Sequence, residues 1–329
     1  MSRLTTVSRT HTTSKIATLR KSIAAVLLFS YLPASGQTDG HFTIMTYNCE
    51  NAFDTIPDAT HDDSEYLPEG SHHWTRWRMY QKLRNIGKVI MAVDTDKPAD
   101  IVCLDEVEND SVMTWLTRQT PLASIGYDYF ITNSADTRGI DVALLYSPFT
   151  FRPVTHYSIR ANTSTPTRDI LYVSGIARGR DTLDIFAVHL PSRLNGKEAE
   201  LNRKSVLAAI SHSIDSITAL RPSAQICVLG DFNDGPQSKT IKRGLPQLKN
   251  LMKGEKRGSY KYHGKWECID QILVTTPLAE RIIKSGIYYN PMLLEDDITY
   301  GDKKPNRTYV GWKYNGGFSD HLPAFLIIR

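Results

Sequence analysis

The strongest constraint in this sequence is a repeated pattern, a short apolar run that stops at a polar or charged side chain. Runs rich in Val, Ile, Leu and aromatic residues occur at Phe42–Cys49, Asp100–Glu106, Asp141–Tyr146, Leu171–Ala177, Leu183–His189, Gln225–Asp231, Glu267–Val274 and Pro323–Ile328. Their composition and length predict strands. Asn48 follows TIMTY, Glu106 follows IVCLD, His189 follows DIFAV, Asp231 and Asn233 follow CVLG, and Asp270 follows ECI. A single Asp or Asn after a strand is ordinarily a turn former or a helix cap. Recurrence at so many strand ends points instead to one shared site.

Helical periodicity interrupts the strands. Trp77, Tyr80, Leu83, Ile86 and Ile90 recur at three and four residues, as do Leu207, Ile210, Ile214 and Ile217 in the segment opened by Lys197–Glu200. Both segments read as amphipathic helices that cover a sheet. No internal repeat, low-complexity tract or Pro/Gly-rich linker divides the chain after its N-terminal stretch, so one domain over residues 37–329 is expected. Strands outnumber helices and long mixed stretches separate them. That pattern predicts an α/β fold, a four-layer sandwich of two packed mixed β-sheets flanked by helices, over a regular strand–helix alternation.

The N-terminal stretch has a different character. Arg3, Arg9, Lys15, Arg20 and Lys21 precede the apolar run Ile23–Leu32, followed by Pro33 and the small residues Ala34, Ser35 and Gly36. This order is that of a secretory signal peptide over residues 1–36, cut near Gly36–Gln37, and predicts export to the periplasm or the extracellular space. The run is half the ~20 residues a membrane-spanning helix needs. Residues 1–36 hold five of the 39 Lys and Arg and no Asp or Glu, so the remainder carries 34 basic against 35 acidic residues. The basic balance thus belongs to the leader. A near-neutral mature protein excludes binding nucleic acid by bulk charge alone, while leaving room for a local patch or bound metal. Cys49, Cys103, Cys227 and Cys268 lie in apolar runs without zinc-site spacing, which favours buried free thiols over two disulfides.

Seven motifs occur in one order: TYNCEN (46–51), LDEVEN (104–109), RGIDVALLY (138–146), HLPSR (189–193), GDFND (230–234), CIDQILV (268–274) and GGFSDHLPA (316–324). Singly they are unspecific; together they resemble the endonuclease/exonuclease/phosphatase superfamily across almost all of residues 42–329. The resemblance implies a metal-dependent phosphoesterase. Such hydrolysis needs a base for water, charge neutralisation on the phosphoryl oxygens and stabilisation of the leaving oxygen.

By resemblance, His321 in SDHLP is the general base and Asp270 the carboxylate that fixes its tautomer, a role suited to an imidazole of near-neutral pKa. Glu106, with Asn48 and Asp320, looks like the metal set, and hard oxygen donors suit magnesium or manganese. Asp231 and Asn233, two apart at a strand end, resemble the pair that positions the attacking water and a phosphoryl oxygen, with i and i+2 side chains pointing to one side. His189 resembles the second histidine of the deoxyribonuclease branch. Arg193 could grip phosphate, Asp141 falls near the site by family position, and Arg307 lies in a polar, loop-like rim over residues 294–317. The sequence departs from the family at Asp105, where Gln usually precedes the metal-binding Glu. The loop residues His61, Asp62, Asp63, His72 and His73 are explained more cheaply by exposure than by a second metal.

The leading expectation is therefore an exported nuclease acting on DNA or RNA. A phosphatase or phospholipid diesterase with the same core is the alternative, since loops set substrate choice. For a membrane-facing aromatic hairpin the one candidate is Ile287–Tyr289. A catalytically inactive binding module is the third reading, disfavoured because Glu106, Asp231, Asn233, Asp270 and His321 are all present.

Overall fold

The computed structural model describes residues 40–329, so the expected secretion signal lies outside the described residues. Two six-stranded mixed sheets pack face to face. The first runs in the order β13 (Ile282–Ile287), β18 (Ala324–Ile328), β1 (Phe42–Ala52), β2 (Ile101–Val107), β4 (Asp141–Tyr146) and β3 (Asp128–Ile131). The second runs β5 (Phe151–Ile159), β6 (Ile170–Ala177), β7 (Asp181–His189), β8 (Gln225–Asp231), β12 (Asp270–Val274) and β9 (Lys249–Asn250). Three small hairpins stand outside the sheets: β10 (Tyr260–Tyr262) with β11 (Lys265–Glu267), β14 (Leu294–Asp296) with β15 (Lys303–Pro305), and β16 (Tyr309–Val310) with β17 (Lys313–Tyr314). The last two replace the loop expected over residues 294–317.

Helices complete the four layers: α1 (Arg76–Ala92), α2 (Asp110–Gln119), α3 (Gly196–Leu220) and the short α4 (Lys239–Gly244) and α5 (Thr276–Ala279). Strand pleating divides the side chains of β8 between two cores. Cys227 and Leu229 face the first sheet, in a core that also takes Leu83, Ile86, Val89 and Ile90 of α1; Ile226 and Val228 face Val206, Leu207, Ile210 and Ile214 of α3. Burial on both faces is why β8 reads as a continuous apolar run rather than an alternating one. The inward stripe of α1 is rotated from the expected one: Met79 and Lys82 face inward with Leu83 and Ile86, while Trp77 is 61% exposed. Asn109 caps α2, its side chain accepting from the Val112 N–H at 3.1 Å.

The edge strands β3, β5 and β13 are elements the apolar pattern did not reveal. The middle of β5 is largely exposed, so packing does not impose alternation there. All four cysteines are free, and Cys49, Cys103 and Cys227 are buried. Among the described residues, no helix is long and apolar enough to cross a membrane.

Candidate active site

Each sheet contains one parallel pair, β1 with β2 and β7 with β8, and all four strands end at the same edge of the sandwich. Asn48 and Glu106 come from the first pair, His189 and Asp231 from the second. Asp270 opens β12 opposite Asp231 in the antiparallel register, and His321 lies just before β18. The expected catalytic and metal residues therefore meet although they are spread along the whole sequence. Glu106, His189, Asp231, Asn233, Asp320 and His321 line one cavity of about 880 Å³.

Backbone conformation at the strand ends aims these side chains. Glu50 and Asn51 after Asn48, Glu106 itself, and Asn233 after Asp231 have φ of 52°, 59°, 63° and 50°. The β1–β2 and β2–β4 registers slip at these places. Left-handed backbone in a non-glycine residue costs about 1–3 kcal/mol, and such strain collects at functional sites. In β2 the consequence is a change of direction: Asp105 still points across to the second sheet, while Glu106 turns into the cavity. The i, i+2 argument for Asp231 and Asn233 does not hold, because Asn233 lies past the strand in a turn. There its N–H donates to Asp231 Oδ1 at 2.7 Å and its Nδ2 donates to the Leu190 carbonyl at 2.9 Å. Gly230, at φ 145°, has no room for a side chain: a Cβ there would lie 1.7 Å from the Val188 carbonyl oxygen.

His321 Nδ1 donates to Asp270 Oδ2 at 2.8 Å, which leaves Nε2 facing Asp231 and Asp320, each 3.9 Å away. The Tyr260 ring packs against the imidazole at 4.9 Å between centroids. Burial would depress the His321 pKa, but Asp270, Asp320 and Asp231 outweigh it and hold it well above the ordinary value. Burial pushes Asp231 up to about 7, with the pull of His321 opposed by Asp270. Burial, then the Glu50 charge, pushes Asp320 up to about 6. His189 is held well below its ordinary value by burial and by Arg168 and Arg138, so it is neutral; its Nε2 stands 3.6 Å from Asp231 Oδ2 and 4.0 Å from Glu106 Oε1.

Asn48 is bound on both sides, its Nδ2 donating to Asp231 Oδ2 at 3.1 Å and its Oδ1 accepting from the Glu50 N–H at 2.9 Å, which leaves one lone pair. Glu106 accepts one hydrogen bond, from the Asn51 N–H at 3.1 Å, and its other oxygen is 3.8 Å from Arg138. Glu106, Asp320 and the Asn48 oxygen thus offer hard donors in a centre where carboxylates crowd together. That chemistry fits a divalent cation. A separate group, His41, Asp94 and Asp96, also brings three ligand atoms within 4.8 Å of one another. It lies at the opposite end of β1, ~20 Å from Asn48 by strand rise, and takes no part in the cavity.

The departure at Asp105 has a physical reading. The side chain is fully buried and accepts the Asp231 N–H at 2.9 Å, while its other oxygen has no partner. Burial, then the Asp231 and Asp270 charges, raise its pKa well above the ordinary value, so a charge there is disfavoured and its role is that of a hydrogen-bonding group.

The three expected substrate contacts fare differently. Arg193 lines the cavity and pairs with Glu267 of β11. Arg307 is tied to Glu50 at 3.1 Å and to Asp320 at 3.0 Å. Asp141 is turned away, its carboxylate taken by the Thr132 hydroxyl at 2.5 Å and the Ser134 N–H at 3.0 Å. Sequence reasoning missed Lys82, whose ammonium, buried in α1, donates to the Phe318 carbonyl at 2.8 Å and faces Glu50 at 3.6 Å. It also missed Arg138 and Arg168, which line the cavity. Arg138 opens the RGIDVALLY motif and could have been found there. His72 is not exposed loop: it stacks on Tyr66 at 4.6 Å.

A sequence profile described as the endonuclease/exonuclease/phosphatase family matches residues 43–329. The chain belongs to this family. Enzymes of the family are phosphoesterases and nucleases, typically dependent on a divalent metal. Similar solved structures include truncated TDP2 of Caenorhabditis elegans, at 16% identity and TM-score 0.57, covering 88% of this chain and 97% of that one. The catalytic domain of human nocturnin with bound sulfate gives 17% and 0.54, covering 88% and 94%. A mannosyl-6-phosphatase of Bacteroides thetaiotaomicron gives 14% and 0.56, covering 88% and 100%. At such identities the likeness is one of fold. No curated protein sequence is significantly similar to the chain.

Proposed function

We propose that the protein is an exported phosphodiester hydrolase that acts on nucleic acid, with His321 activating water. The observation that carries this reading is the Asp270–His321 pair, held at 2.8 Å beside carboxylates contributed by both sheets. Asp270 accepts from Nδ1, and Nε2 is the atom that takes a proton from water once the imidazole is neutral, a state that rising pH favours because the surrounding carboxylates hold its pKa well above the ordinary value. Asp231 and Asn233 orient that water and one phosphoryl oxygen. Neutral His189 donates a hydrogen bond toward the phosphate, and Arg138, Arg168 and Arg193 supply positive charge along the cavity wall. Glu106, Asp320 and Asn48 would hold magnesium or manganese, which supplies positive charge against the charge growing on phosphorus-bound oxygen.

The phospholipid alternative loses its sequence candidate, because Ile287 is buried and Tyr288 and Tyr289 pack against the core. Purified protein should be assayed on duplex DNA, single-stranded DNA, RNA, sphingomyelin and inositol phosphates, in chelator and with magnesium or manganese added back. Metal-dependent cleavage of a nucleic acid is expected. Full activity in chelator would remove the metal set, and preference for a phosphomonoester would replace the nuclease reading with the phosphatase one. Export rests on the leader over residues 1–36 and is checked by cell fractionation; retention of an uncleaved chain in the cytoplasm would refute it.

A further inference from the structure

A second cavity, of about 170 Å³, opens beside the first, and Asn51 borders both. Its walls are the side chains of Tyr66, His72, Trp74 and Tyr309, and its polar boundary includes Glu50 and Arg307. The walls are fixed from behind. Phe53, Tyr66 and His72 form a stack with centroid spacings of 4.3 and 4.6 Å, and Tyr309 meets His72 edge-on at 4.6 Å. The Tyr309 hydroxyl donates to the His72 carbonyl at 2.8 Å, and Trp74 Nε1 donates to the Phe53 carbonyl at 3.0 Å. One buried polar atom is left over: His72 Nδ1 has no hydrogen-bond partner, and a Glu65 carboxylate oxygen stands 3.9 Å away. The surroundings are therefore a preformed aromatic box.

Charge decides what such a box can take. The charged groups among its lining residues, Glu50 and Arg307, are paired with each other at 3.1 Å, so one cation and one carboxylate balance along its polar side. Neither a second phosphate nor an ammonium group gains by entering. The volume holds one ring, and aromatic walls reward the burial of a ring's apolar surface. We propose that this cavity is a subsite for a neutral ring carried by the alcohol esterified to the scissile phosphate, a pyrimidine-sized base or a single sugar ring, so that the enzyme selects esters carrying such a ring. The proposal rests on the phosphodiesterase reading and adds a specificity determinant to it.

The test compares methyl phosphodiesters of thymidine 5′-phosphate, mannose 6-phosphate and glycerol 3-phosphate, followed by phosphorus NMR, so that a ring is present on one side only or absent. In His72→Leu, kcat/KM should fall by about tenfold or more for a ring-bearing ester and by less than about threefold for the glycerol ester. Trp312→Ala removes an exposed ring that packs 5.0 Å from His72 and serves as a variant that leaves the core intact; it should give the same selectivity in weaker form. On the unaltered protein, thymidine or methyl α-mannoside should bind by calorimetry and inhibit competitively, glycerol should not, and whichever ring binds identifies base or sugar. Equal losses on all three esters, or binding of neither ring, would overturn the proposal. Binding of a ring without hydrolysis of any ester would retain the subsite and refute the phosphodiesterase reading instead.

Discussion

Replacing Gly230 with alanine should damage stability and catalysis together, and the size of the effect follows from the β7–β8 pairing. Val188 lies opposite Gly230, and His189 lies opposite Asp231. A Cβ on residue 230 would sit 1.7 Å from the Val188 carbonyl oxygen, against about 3.3 Å for an ordinary carbon–oxygen approach. The obstructing atom is backbone in the middle of a sheet, so relief requires the two strands to part. The φ of 145° adds about 1–3 kcal/mol for any residue with a side chain. Two ladder hydrogen bonds lost at about 1 kcal/mol each bring the total to ~3–5 kcal/mol. In a domain of this size that lowers Tm by roughly 5–15 °C. Calorimetry measures the first effect. Steady-state kinetics on bis(p-nitrophenyl) phosphate, at a temperature where the variant is folded, measures the second, because parting the strands also separates His189 from Asp231. A Gly230→Ala protein with unchanged Tm and unchanged kcat would show that the strand ends are not set as described.

Other expected outcomes address single groups. His321→Ala or Glu106→Ala should each cost ~2–4 kcal/mol of transition-state stabilisation, read from kcat/KM; near-normal turnover in either would contradict the assigned roles. Asp105→Asn should leave folding stability within ~1 kcal/mol and activity nearly intact, since burial already disfavours a charge at this position and Asn keeps the acceptor, whereas Asp105→Ala strands the Asp231 N–H and should cost ~1–3 kcal/mol in denaturant titrations. Burial, opposed by the Asp54 N–H, pushes the Glu108 pKa up to about 8 from the ordinary 4.5. The folded state then holds a proton the unfolded chain has lost, so Glu108 should reduce stability as pH rises from about 4.5 to about 8, by up to ~1.4 kcal/mol per unit. Glu108→Gln should flatten that slope in urea melts at several pH values, and an unchanged slope would refute the shift.

The parts of the fold legible in sequence were those where burial on both faces fixes residue type. β1, β2, β7 and β8 read as apolar runs, and each carries near its end a polar residue that belongs to the site. β5 was not legible because an exposed edge strand tolerates RPVTHYS as readily as an alternating pattern. In the site, single positions with a required chemistry, such as His321 and Glu106, stood out from their apolar context. Lys82 did not, since a lysine on an amphipathic helix reads as solvent-facing until the packing of Phe318 and Glu50 around it is known. Asp141 failed for the opposite reason: its place beside Val107 brings it near the cavity, but the Thr132–Ser134 turn claims its carboxylate.

Half of the proposed catalytic centre rides on each sheet, and a few contacts span the gap, namely Asn48 and Asp105 to Asp231, and His321 to Asp270. The centre therefore acts as a caliper across the sandwich. A core substitution that lets one sheet slide over the other by a fraction of an ångström should silence turnover while circular dichroism still reports native strands. On heating, loss of activity should run ahead of melting, which would make the enzyme's own rate the most sensitive gauge of how firmly its two halves are seated.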